Sequence, residues 1–146
     1  MSDLHPIQMF FSSHHPLANK LHATFEGSNN ELVLLQTIAP PELVHNVEAR
    51  TLHTGFSTIL LDSIMGGAVM GSLEQVMPIA TVGLSIHHLR RPKAGEELNG
   101  KAICTGIYND LAYVTGELVD GENEPIAIAS GTFMLGTRGT SIREKA

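Results

Sequence analysis

An α+β domain, with one antiparallel sheet wrapped round a single long helix, is what the sequence predicts, and three observations predict it. The stretch from Phe56 to Met70 is apolar round most of a helical circumference and holds Asp62 as its only charge, the pattern of a helix buried on nearly all sides. Six other segments have the alternation or the β-rich composition of strands, with turn residues between them. Two of the six precede the helix and four follow it, an order in which one antiparallel sheet can enclose one helix.

The elements follow in chain order. Ile7, Met9, Phe10 and Phe11 predict a short helix over about residues 5–17 that packs on the body. Leu21, Ala23 and Phe25 alternate with His22, Thr24 and Glu26, then Gly27-Ser28-Asn29-Asn30 supplies a turn before Leu32–Ile38, which together read as a hairpin. Ala39-Pro40-Pro41-Glu42 ends the second strand, because proline has no N–H for the ladder. After the long helix come strands at Ile79–Leu89, Leu98–Tyr108, Leu111–Val119 and Ile126–Leu135. Their turns are Arg91-Pro92-Lys93-Ala94-Gly95, Asn109-Asp110 and Asp120-Gly121-Glu122-Asn123. The polar stretch Thr137–Ala146 reads as a frayed tail. With no repeat and no linker, residues 1–146 read as a single domain of the hot-dog arrangement. One sheet cannot cover a helix on every side, so a second copy of the chain is expected to bury the remainder, as a homodimer or homotetramer.

Composition narrows the function. A formal net charge of −6 argues against a nucleic-acid partner. The segment Gly55–Val69 is shorter than the roughly 20 apolar residues a bilayer needs and is diluted by glycine and serine, so no membrane partner is expected. The single cysteine, Cys104, rules out an internal disulfide and reads as an inert core thiol within an alternating run. Residues 1–16 lack the basic cluster and apolar stretch of a signal peptide, which leaves the cytoplasm as the expected compartment.

Chemistry concentrates in the run from Leu52 to Gly66. Small residues, Thr54 and Gly55, open the helix, and the backbone N–H groups of a first turn lie unpaired at the positive end of the helix dipole, a place that stabilises an oxyanion. Seven residues beyond Gly55 stands Asp62, inside an apolar segment. It reads equally as a structural carboxylate or as a general base, since a carboxylate removed from water binds protons better; the helix-start donors favour the base. Seven residues are roughly 10 Å at about 1.5 Å per residue, too far for one carbonyl to meet both groups, so the expectation is a site composed from two chains. His14-His15 and His87-His88 do not read as metal ligands: His87 and His88 are neighbours on a strand and point to opposite faces, and no His-Glu-x-x-His pattern occurs. No Gly-x-Ser-x-Gly elbow suggests a serine triad.

These residues resemble the hot-dog thioesterases of the phenylacetyl-CoA and medium-to-long-chain acyl-CoA type, whose helix opens with His-Gly-Gly and carries an aspartate nine positions after the histidine. His53-Thr54-Gly55 and Asp62 keep that spacing, and the resemblance continues through Ala80-Thr81-Val82, Leu89-Arg90-Arg91-Pro92 with Gly95, and Ala129-Ser130-Gly131-Thr132-Phe133, over about residues 45–135. It implies hydrolysis of acyl-CoA thioesters with no cofactor beyond the coenzyme A of the substrate. Asp62 would be general base or nucleophile, the Thr54 or Gly55 N–H would bind the thioester oxygen, Thr81 would orient the water, and His53 would shape the carbonyl pocket. Two departures stand out: Thr54 replaces the first glycine, and the asparagine expected six residues before the histidine is Val47, with Asn46 one step away. Phe56 and Met65 are expected to border the acyl group, and Arg90, Arg91 and Lys93 to contact the phosphates of coenzyme A, for which guanidinium groups are well shaped. The competing expectations are a hot-dog acyl-CoA hydratase or dehydratase using His53 and Asp62, and a non-catalytic acyl-CoA binding protein.

Overall fold

The computed structural model describes residues 18–21, 23–27, 32–75 and 77–137. The expected terminal helix with His14 and His15, and all but Thr137 of the expected tail, lie outside the described residues. A single helical turn, α1 (Ala18–Leu21), leads into strands β1 (Thr24–Gly27) and β2 (Leu32–Ile38). Leu21, expected to begin the first strand, ends α1 instead, buried and with its carbonyl accepting from Thr37 Oγ1 at 2.6 Å.

A short ribbon follows that the sequence reading did not contain, β3 (Val44–Asn46) paired antiparallel with β4 (Thr51–Leu52). It delivers the chain to the long helix α2 (Gly55–Ser72). Strands β5 (Ile79–His88), β6 (Glu97–Tyr108), β7 (Leu111–Asp120) and β8 (Pro125–Leu135) complete a six-stranded antiparallel sheet in the order β1-β2-β6-β7-β8-β5. All four were expected within about a residue of these bounds, because alternation with β-branched residues is a strong strand signal. The two-residue turn at Asn109-Asp110 works because Asn109 adopts a positive φ of 54°. This is the hot-dog arrangement, and no helix among the described residues is long and apolar enough to cross a membrane.

The core lies between α2 and the inner face of the sheet. Phe56, Leu60, Leu61, Ile64, Met65 and Ala68 of α2 meet Leu98, Ala102, Cys104, Val114, Leu118, Ala127 and Phe133 of β6, β7 and β8. The sheet comes closest where it has no side chains: a Cβ on Gly116 would stand 2.9 Å from Met65 Sδ, and one on Gly131 2.5 Å from Met65 Cε. The helix is not covered all round. Gly55, Ile59, Asp62 and Gly66, spaced i, i+4, i+7 and i+11, share one face; all four are at least partly exposed, Ile59 at 36%. Beside that stripe β5 forms an open sheet edge, with Val82 57% exposed.

Candidate active site

The entrance to α2 is organised by His53. Its N–H donates to Leu43 O of the segment leading into β3 at 3.0 Å, its carbonyl accepts from Phe56 N–H at 3.1 Å, and its ring Nδ1 accepts from Gly55 N–H at 3.0 Å. The Gly55 N–H, one of the two expected oxyanion donors, is therefore engaged within the chain. The Thr54 N–H, the other, meets no acceptor among the described residues. Glycine at 55 leaves room for the bond to His53, since a Cβ there would stand 3.0 Å from His53 Nδ1 and push the ring by a few tenths of an ångström. Thr54 has ordinary right-handed angles (φ −60°, ψ −22°) and makes no side-chain cap, so a threonine there costs the backbone nothing. That accounts physically for the departure from the glycine pair.

Asp62 sits two turns along α2 on the uncovered stripe. It was expected to be submerged; it is partly exposed, beside the edge strand β5. Thr81 Oγ1 of β5 donates to Asp62 Oδ1 at 2.8 Å. One carboxylate oxygen is thereby fixed, while Oδ2 has no partner among the described residues. Two residues 19 apart in sequence are joined because β5 leaves α2 and runs back along it.

The other expected site residues divide. Asn46 lies on β3 beside the helix entrance, but its Oδ1 accepts from Ala49 N–H at 2.9 Å, closing its own turn. His45, which sequence reasoning missed, places its ring edge-on to His53 with centroids 5.5 Å apart. Phe56 and Met65, expected to border the substrate, are buried in the helix–sheet core at 2% and 0% exposure. Arg91 and Lys93 are exposed.

Arg90 differs from the expectation. Its guanidinium bridges Glu96 at 2.5 Å and Asp120 at 2.7 Å, tying the segment after β5 to the start of β6 and the end of β7. The Glu96 hydrogen bond holds the Arg90 pKa above its usual value. Burial alone would raise the Glu96 carboxyl, but the bonds from Arg90 and from the Lys93 N–H bring it below the ordinary range. The Glu124 N–H, helped by the Glu122 N–H and Arg90, likewise lowers Asp120. Carboxyls with depressed folded-state values stabilise the fold above their unfolded values, near pH 4, and that stability is lost as pH falls through the lower folded values. Arg90→Met is therefore expected to unfold at lower temperature than wild type at pH 7, with the gap closing as pH falls below about 4; melting curves at stepped pH check this, and a gap independent of pH would refute it.

The geometry offers a carboxylate fixed through one oxygen, able to activate water, and, eight residues earlier at the helix start, an unclaimed N–H able to polarise a carbonyl. The sequence profile of the thioesterase superfamily matches residues 49–127, more than half of the chain. The fold is similar to the PaaI protein from the phenylacetic acid degradation operon of E. coli, with 15% identity, a TM-score of 0.75, and coverage of 85% of this chain and 86% of that one. It is similar to the hypothetical thioesterase of Streptococcus pneumoniae solved with coenzyme A, with 20% identity, a TM-score of 0.70, and coverage of 80% and 88%. It also resembles the TT0310 protein of Thermus thermophilus, with 19% identity, a TM-score of 0.72, and coverage of 83% and 97%. No curated protein matches the sequence.

Proposed function

The chain belongs to the thioesterase superfamily, and from that premise we propose that it hydrolyses acyl-CoA thioesters to the free acid and coenzyme A, with Asp62 activating water and the Thr54 N–H binding the thioester oxygen. The observation that carries this reading is the Asp62–Thr81 bond at 2.8 Å on the uncovered helix face. A carboxylate oriented through one oxygen has the other available to take a proton from water. The Thr81 hydroxyl keeps lone pairs with which to orient that same water. The resulting hydroxide adds to the carbonyl carbon, negative charge collects on the oxygen facing the Thr54 N–H, and the thiolate departs and takes up the proton held by Asp62. No cofactor enters these steps.

Thr54 and Asp62 are eight residues apart, roughly 12 Å along a helix axis, so a single chain does not bring both to one carbonyl. The uncovered stripe of α2 and the open edge of β5 both border Asp62, and a second copy seated there would set its own helix start against this carboxylate. The proposed site is accordingly shared and doubled. Thiol release from a panel of acyl-CoAs tests the activity, with crotonyl-CoA hydration monitored in parallel; hydration without thiol release would sink the hydrolase reading.

The shared site is tested by complementation. Thr54→Pro removes the N–H together with a hydroxyl that makes no cap, and the φ of −60° at this position suits proline. Mixed with Asp62→Asn, two inactive chains are expected to form heterodimers that each regain one intact site of their two. Heterodimers that form but stay inactive would contradict it.

A further inference from the structure

The β3–β4 ribbon lies against the loop that follows β5. Ala94 N–H donates to Arg50 O at 2.9 Å, Leu52 N–H donates to Pro92 O at 2.8 Å, and Thr51 bridges Lys93. These bonds carry Arg50 to the side of Arg91 and Lys93, from which more than forty residues separate it in sequence. All three side chains are exposed, and none makes an ion pair among the described residues. The nearest partly buried carboxylate is already neutralised, since Glu96 accepts from Arg90 and from the Lys93 N–H. Glu48 is the one carboxylate in the ribbon's own loop, and it is exposed. In a chain of net charge −6, three exposed cations on adjoining segments, free of ion pairs and accompanied in the ribbon's loop by Glu48 alone, form a local field of the opposite sign. Arg50 joins them from a left-handed backbone, φ 54°, which glycine or asparagine adopts at less cost.

We infer that Arg50, together with Arg91 and Lys93, is the anion site that takes the phosphates of coenzyme A. The inference rests on the acyl-CoA reading above and replaces Arg90, which is engaged internally, by a residue the sequence did not single out. Arg50 precedes the Thr54 donor by four residues, at most roughly 13 Å at about 3.3 Å per extended residue. The pantetheine arm, which separates the diphosphate from the thioester, is long enough to bridge that interval. Guanidinium groups pair with phosphate oxygens through two N–H bonds, and the Lys93 ammonium adds a point charge.

Calorimetric titration with coenzyme A itself, alongside pantetheine, tests the site without requiring turnover. Arg50→Gln is expected to weaken coenzyme A binding about tenfold, the usual worth of one charge-assisted contact. Arg50→Glu should weaken it further, and Lys101→Gln, a cation on the sheet's outer face, should leave it as in wild type. The Arg50 side chain is exposed and makes no ion pair in the fold, so both Arg50 variants are expected to melt with wild type. Equal binding by wild type and Arg50→Gln would overturn the site, as would an equal loss in Lys101→Gln or no binding of coenzyme A by wild type. Binding that depends on Arg50 without any thiol release would leave the site standing and remove the hydrolase reading instead.

Discussion

Asp62→Asn is expected to lower kcat for thioester hydrolysis by roughly 10²- to 10⁴-fold, the range for loss of a general base, with the melting temperature nearly unchanged. The amide is isosteric, and its Oδ1 can still accept the Thr81 hydroxyl, which bonds Asp62 at 2.8 Å; only the capacity to hold a proton is removed. KM should move little, because the deleted interaction develops only as the water is deprotonated. Thr81 is expected to act through this carboxylate. Thr81→Val should cost about tenfold in the wild-type background and almost nothing beside Asp62→Asn, because the two residues form one unit, whereas Thr81→Ser should retain activity. Thiol-release kinetics on the four combinations decide the matter. Additive losses, or a drop below about tenfold in Asp62→Asn, would remove Asp62 from the role of base.

Why that pair could be only half read from sequence is a matter of faces. The helix was legible because its apolar residues encircle it, and the same fullness made Asp62 read as submerged. A finer reading of period would have put Asp62 on one stripe with Gly55, Ile59 and Gly66, the side that borders the edge strand β5. The strands β5 to β8 were legible because alternation and turn residues are local signals. The β3–β4 ribbon was not: five residues, four of them paired, carry too little pattern, and its geometry is held by bonds to residues 92–94, about forty positions away. The same non-locality hid the role of Arg90. Three basic residues in four positions look like one cluster in sequence, yet Glu96 and Asp120 withdraw Arg90 from it and the ribbon supplies Arg50 in its place. Likewise Met65 read as a residue bordering substrate because the glycines beneath it lie on β7 and β8, more than fifty residues downstream.

Those glycines set the second large effect. Gly116→Ala is expected to destabilise the fold by about 1–3 kcal/mol, the usual cost of overpacking a core, even though alanine is intrinsically better than glycine in a strand by roughly 0.5–1 kcal/mol. The strain wins because the new methyl would stand 2.9 Å from Met65 Sδ, 3.0 Å from Cγ and 3.3 Å from Leu61 Cδ2. Met65 is fully buried and its Cε already lies over Gly131, so its tip has to shift within a packed core. Met65→Ala alone should cost about 2–5 kcal/mol through the cavity it leaves. In the double variant the methyl added at position 116 enters that cavity, so the combined loss should fall short of the sum by about 1 kcal/mol or more. For a domain of this size each kcal/mol is about 2–4 °C of melting temperature, so calorimetry at matched protein concentration resolves the cycle. Strict additivity would show that Met65 is not wedged between the two strands. Because Met65 follows Asp62 by a single helical turn, Gly116→Ala should also reduce kcat in the molecules that remain folded, as α2 is pushed off the sheet and the carboxylate moves relative to Thr81.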